Sequence, residues 1–210
     1  MNDLPRTGAQ FKSLEESTAA DWKLIHAYDR EFDVGLTDRI FSLLESLGQS
    51  GGAMPVTRLE HSLQTATRAL RAGEAEAYVI AALVHDLGEL YFPHNHAAFG
   101  AALMRPYVDD TLHFVLEHHP IFQGYHYWHV MGGDRHARDG WRGHRAFQAA
   151  ARFCALYDQP SFDAGYDTLA LDAFRPIAER VFAKPLPGYD ANLLPRWRRA
   201  VRRLFRLTRG

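Results

Sequence analysis

A single cysteine, Cys154, stands in 210 residues. One thiol excludes an internal disulfide and fits a reducing compartment. Its neighbours in RAFQAAARFCALYD are apolar, which suits a buried structural thiol better than a nucleophile. An excess of either charge is also lacking. The formal net charge is -1, so no global field draws nucleic acid or an anionic membrane. No apolar run approaches the ~20 residues that span a bilayer. The N-terminus, MNDLPRTGAQFKSLEEST, has no basic start followed by an apolar stretch, and a secretory signal is not expected. These absences describe a cytoplasmic globular protein. Its 47% apolar and 23% charged residues are ordinary for that class, and the length suits one domain, 1–210.

Strands are missing too: no convincing alternation of apolar and polar residues occurs. Helical spacing dominates instead. It predicts helices over Thr18 to Phe32 and over Leu36 to Leu47, then a glycine-rich loop from Gln49 to Pro55 (QSGGAMP). Thr57 and Glu60 form a capping-box pattern ahead of Leu59, Leu63, Ala66 and Leu70, and Gly73 closes that helix. Glu74 to Leu90 reads as a helix apolar on most sides, stopped before Pro93. Shorter helices are predicted over His96 to Met104 and Asp109 to His119, the latter ending at Pro120. Ile121 to Trp141 reads as a long functional loop, and helix resumes over Gly143 to Tyr157, Thr168 to Phe182 and Asn192 to Leu207. The expected fold is all-α, a helical bundle.

What the chain does have is histidine, 12 residues of it, many between His61 and His144. His85 and Asp86 are adjacent in AALVHDLGEL, at the end of the apolar helix. Burying an imidazole and a carboxylate side by side is costly unless the polar groups are compensated. A divalent cation compensates both. His61, His96, His118 and Asp158 flank the pair on other predicted helices, and a bundle can turn all of them toward one place. Each alone is an ordinary surface or core residue; the combination is what points to a metal.

The order His61, His85-Asp86, His96, His118, Asp158 resembles the H…HD…H…H…D pattern of the HD-domain superfamily, over about residues 54–162. In that family H…HD…D serves one metal, and two further histidines mark members with two. TRLEHSLQTA, ALVHDLGEL and HAAFGAAL resemble the branch of mixed-valent di-iron oxygenases that includes the hydroxy-aminoethylphosphonate oxygenase, with myo-inositol oxygenase more distant. The resemblance implies His61, His85, Asp86 and Asp158 on a first metal, and Asp86 as a bridge with His96 and His118 on a second. His94 competes with His96, and His119 with His118. The resemblance further implies iron, although His and Asp ligands equally accept Mn, Zn, Co or Ni.

Two reactions share such a cage. A phosphohydrolase would use the metals on a phosphate ester, and such members often carry a lysine where this chain has Glu89. An oxygenase would use two irons and dioxygen on a C–H bond of a small polar or anionic substrate, and the local resemblance favours this one. GQSGGAMPV lacks the tyrosine and glutamate of the phosphonate-cleaving relative, and HHPIFQGYHY lacks its lysine, which argues against a phosphonate. His119 and Tyr125 are the candidates for contacts beyond the metals, with His126, Tyr127, His129, Arg135, Arg138 and Arg142 as further loop candidates. Arginines there can clamp a phosphate or carboxylate. The basic C-terminal RWRRAVRRLFRLTRG carries an apolar stripe that fits a second subunit or the domain itself better than nucleic acid or lipid.

Overall fold

The computed structural model describes residues 8–49, 53–187 and 189. The expected C-terminal helix, Asn192 to Leu207, lies outside them. Among the described residues there are eight α-helices and no strand, so the fold is all-α. Backbone proximity groups the chain into two compact units, 1–42 and 43–210.

In the first unit, a single 3-10 turn at Leu14–Glu16 precedes α1 (Ala19–Val34). Thr18 and Asp21 cap that helix reciprocally: the Asp21 carboxylate accepts from Thr18 N, and Thr18 Oγ1 accepts from Asp21 N. Helix α2 (Leu36–Leu47) begins in this unit and ends in the second, where Leu44 and Leu47 are fully buried.

In the second unit, α3 (Arg58–Arg71) begins at the expected capping box. Thr57 Oγ1 accepts from Glu60 N at 3.1 Å, and Glu60 Oε2 accepts from Thr57 N at 2.7 Å. It ends in a Schellman turn: Gly73, at φ 76°, donates to Leu70 O while Glu74 donates to Ala69 O. Helix α4 (Glu76–Val84) packs against α3, α5, α6 and α8. Val79 through Val84 are buried on every side, and each Val, Leu or Ile in that run contributes about 1.5–3 kcal/mol of burial. This is the central helix, and it delivers the His85-Asp86 doublet into the interior.

Helix α4 ends at Val84, six residues earlier than expected. From His85 the chain turns tightly, with Leu87 N donating to Val84 O and Glu89 N to Asp86 O. Glycines let α5 (His96–Met104) close onto that turn. A Cβ on Gly100 would lie 2.7 Å from His85 O, and one on Gly88 would lie 2.8 Å from His96 Cα.

Three other expectations change. Helix α6 (Asp110–Tyr127) runs through Pro120 instead of ending there, so the long loop is shorter than predicted and continues as 3-10 turns at Trp128–Met131 and Ala137–Trp141. Helix α7 (Phe147–Phe153) widens into a π-turn over Cys154–Asp158, closed by Gln159 N donating to Cys154 O at 2.9 Å. The helix predicted over Thr168 to Phe182 begins late: a 3-10 turn at Leu171–Phe174 leads into α8 (Arg175–Phe182), with Pro176 in its first turn.

Candidate metal centre

Five helices or their ends bring His61, His85, Asp86, His96, His119 and Asp158 together. His61 comes from α3, the doublet from the turn after α4, His96 from the start of α5, His119 from α6 and Asp158 from the π-turn. All but His96 are buried. The π-turn is a common device at functional sites, and here it sets the Asp158 carboxylate facing the doublet.

One feature repeats at all four histidines. Each Nδ1–H donates to a backbone carbonyl: His61 to Ser161 at 2.9 Å, His85 to Ala82 at 2.8 Å, His96 to Pro93 at 3.1 Å and His119 to Leu116 at 2.8 Å. A carbonyl only accepts, so the proton sits on Nδ1 and the ring orientation is fixed. Each Nε2 is thereby aimed at the carboxylates. Two of these carbonyls are available for a structural reason. Ala82 O lies in the last turn of α4, where carbonyls have no helical partner. Leu116 O is the acceptor that Pro120, lacking an N–H, cannot use.

The distances divide the cluster in two. Asp86 Oδ2 lies 3.4 Å from His61 Nε2 and 3.3 Å from His85 Nε2. Asp86 Oδ1 lies 3.0 Å from His119 Nε2 and 3.4 Å from His96 Nε2. Asp158 Oδ1 stands 3.3 Å from His61 Nε2 and accepts from Gln123 Nε2 at 2.6 Å. Asp158 Oδ2 is buried with no hydrogen-bond donor among the described residues. Bonds of about 2.1 Å give edges of about 3.0 Å in an octahedron and 3.4 Å in a tetrahedron, the spacing of these atoms.

The electrostatics ask for positive charge. Burial disfavours a charged His61, but its bonds to Asp158 and Asp86 outweigh that and push its pKa up to about 9. His85 is raised as well, against its burial, by Asp86 and Asp158. Burial works to raise the pKa values of Asp86 and Asp158, yet the facing histidines hold both carboxylates ionised. Protons alone serve poorly, because His61 Nε2 and His85 Nε2 are 3.2 Å apart and both cannot carry hydrogen into that gap. Cations fit: neutral imidazoles backed by carbonyls, two carboxylates and an orphaned oxygen make a metal donor set. His61, His85 and Asp86, with Asp158 Oδ1 3.3 Å from His61 Nε2, would hold one ion, and Asp86, His96 and His119 another, while Asp158 also groups with His85 and His119.

Of the His118–His119 pair the structure brings one residue to the cluster. Neighbours on a helix point about 100° apart, so only one can face the cluster. His119 does, while His118 stacks on Phe114 at 4.1 Å and meets Trp141 at 4.4 Å, its Nδ1 donating to Phe114 O. His94 is exposed and stays outside. Tyr125 is not part of the cluster; its ring carries the guanidiniums of Arg138 and Arg135 at 3.5 and 4.4 Å. Cys154 is buried, donates its thiol to His119 O and has its pKa pushed up by burial, as befits a structural thiol.

A cavity of about 880 Å³ opens onto His61 and Asp86, lined also by Arg58, Glu60, Glu89, Gln123, His126, Tyr127, Gln159 and Phe162. Arg58 Nε donates to Glu89 Oε2 at 2.6 Å, so the wall's arginine is neutralised by the residue three after Asp86. Phe162 stacks on the His61 ring at 4.4 Å and shields it. Gln123, His126 and Phe162 went unremarked or unranked in the sequence. Gln123 is legible only once α6 passes Pro120, four residues beyond His119 on the same face.

Residues 58–159 match the family model described as HD domain. No curated protein matches the chain. The HD match and the His/Asp groups together mark a metal-dependent enzyme.

Proposed function

We propose that the HD domain carried by this chain is a two-metal oxygenase, using a pair of irons and dioxygen to oxidise a C–H bond of a small polar substrate. The observation that carries this is the division of Asp86, whose two oxygens each face a different pair of histidine Nε2 atoms. That is the placement of a bridging carboxylate. The second set, His96, His119 and Asp86, is two histidines and one carboxylate, a donor set that would suit ferrous iron. Such a pair, when bound, supplies one-electron chemistry.

The chain's own residues supply orientation and access. Carbonyls hold the four rings, Gln123 holds the Asp158 carboxylate, and Phe162 covers His61. The cavity admits a substrate as far as His61 and Asp86. Its wall supports oxidation over phosphate-ester hydrolysis, because Glu60 and Glu89 outnumber Arg58, which Glu89 already pairs.

The test is electron paramagnetic resonance of protein purified anaerobically from iron-supplemented cells and partly oxidised. About two irons per chain and a coupled mixed-valent signal support the reading. Protein without iron that holds Mn, Co or Ni and releases phosphate from nucleotides would replace it with a phosphohydrolase.

A further inference from the structure

The segment after α6 holds four arginines at 135, 138, 142 and 145, and two are spoken for. Arg142 donates to Asp139 at 2.8 Å, and Arg145 to Asp110 at 3.1 Å. Arg135 and Arg138 have no carboxylate within an ion-pair distance and no hydrogen bond among the described residues. Both are half-buried, and both stack on the one ring of Tyr125. The Nε atom of each is buried without an acceptor, and so is His126 Nε2. Tyr125 lies edge-on to His126 at 5.4 Å, and His126 lines the cavity that opens onto Asp86.

Two half-buried guanidiniums over one tyrosine ring, neither of them in an ion pair, are costly to leave unmatched. Their contact with the tyrosine ring restrains both while leaving their donors unused. Burial, followed by the fields of Arg138 and Arg135, lowers the His126 pKa, which keeps that ring neutral and able to share a proton with an oxygen. What completes the group is an oxyanion.

We propose that Arg135 and Arg138, stacked on Tyr125 beside His126, form a binding subsite for the carboxylate or phosphoryl group of an anionic substrate. The arginines stand behind the cavity wall and adjoin it through His126, which lines it. The subsite rests on the enzymatic reading of that cavity for its purpose, but its own chemistry is independent of the metals.

The experiment is calorimetric titration of the metal-loaded protein, and of the same protein after chelation, with inorganic phosphate and with acetate. Either probe is expected to bind in both preparations, and the tighter one names the class of oxyanion. Arg135→Gln and Arg138→Gln are each expected to weaken binding about tenfold or more, the worth of a charge-assisted hydrogen bond. Arg145→Gln, which breaks the pair with Asp110, leaves it unchanged. In case the variants fold poorly, phosphate and acetate are also expected to protect Arg135 and Arg138 of the unaltered protein from phenylglyoxal, read by mass spectrometry. Absence of binding, binding indifferent to both substitutions, or lack of protection overturns the proposal. Binding that vanishes on chelation but survives the substitutions also overturns it, placing the anion on the metals. A protein found to hold no iron would leave this result standing.

Discussion

Replacing Gly100 by alanine tests how the second half of the cluster is held. A Cβ there would meet His85 O at 2.7 Å and Val84 O at 3.0 Å, both backbone atoms of the turn that carries the doublet. Ordinary contact begins near 3.4 Å, so α5 must retreat by about 0.7 Å or the doublet must move. Alanine is the better helix former by about 1 kcal/mol, while overpacking costs about 1–3 kcal/mol. Because the obstacle is backbone with no flexible side chain to yield, the upper part of that range applies, and a net loss of about 2 kcal/mol is expected. His96 moves with α5. Metal bonds tolerate about 0.2 Å, so the shift removes His96 from the second site and weakens that ion about tenfold or more. Urea unfolding with metal titration of the wild type and Gly100→Ala reads both effects. A variant as stable as the wild type that binds two ions equally tightly refutes the reasoning.

The histidine pair gives a sharper contrast: His119→Ala is expected to lose the second ion, whereas His118→Ala keeps both and loses only stacking on Phe114 and Trp141, as metal analysis and thermal melts will show. The pH dependence of the chelated protein follows from His61. Its pKa rises from 6.5 to about 9 on folding, so its stabilising contribution is complete below pH 6.5 and disappears as the pH climbs through 9. Urea midpoints of chelated protein should therefore fall over that interval, and a flat or rising profile would contradict the assignment. Thr57→Ala removes one half of the capping box and is expected to cost about 1 kcal/mol without changing metal content.

Much of this was legible in the sequence, and the failures have physical causes. The capping box and Gly73 are local signals, and α3 begins and ends where they say. The apolar run around Tyr78 to Val84 identifies a central helix, but not its end, because the helix stops where a His-Asp turn is held by tertiary contact through Gly88 and Gly100. Pro120 was misread as a terminator. It is accommodated inside α6, and the Leu116 carbonyl it leaves free turns to orient His119. The sequence favours His118, the first histidine of the pair, because the continuation of the helix that turns His119 inward is not visible before the structure. Asp158 was visible as a residue, yet the π-turn that aims it is a five-residue closure with no sequence signature. The arginine stack on Tyr125 was equally hidden, since nothing in RHARDGWRGHR separates paired arginines from unpaired ones.

The central claim is that Asp86 bridges two metal ions, and the direct measurement is the ion stoichiometry of Asp86→Asn beside the wild type, with folding monitored by circular dichroism. The account predicts two ions per wild-type chain and the loss of both at working concentrations in the folded variant, because the same carboxylate serves His61 and His85 through one oxygen and His96 and His119 through the other. A wild type that saturates at one ion, or a folded Asp86→Asn that still holds two, would contradict it.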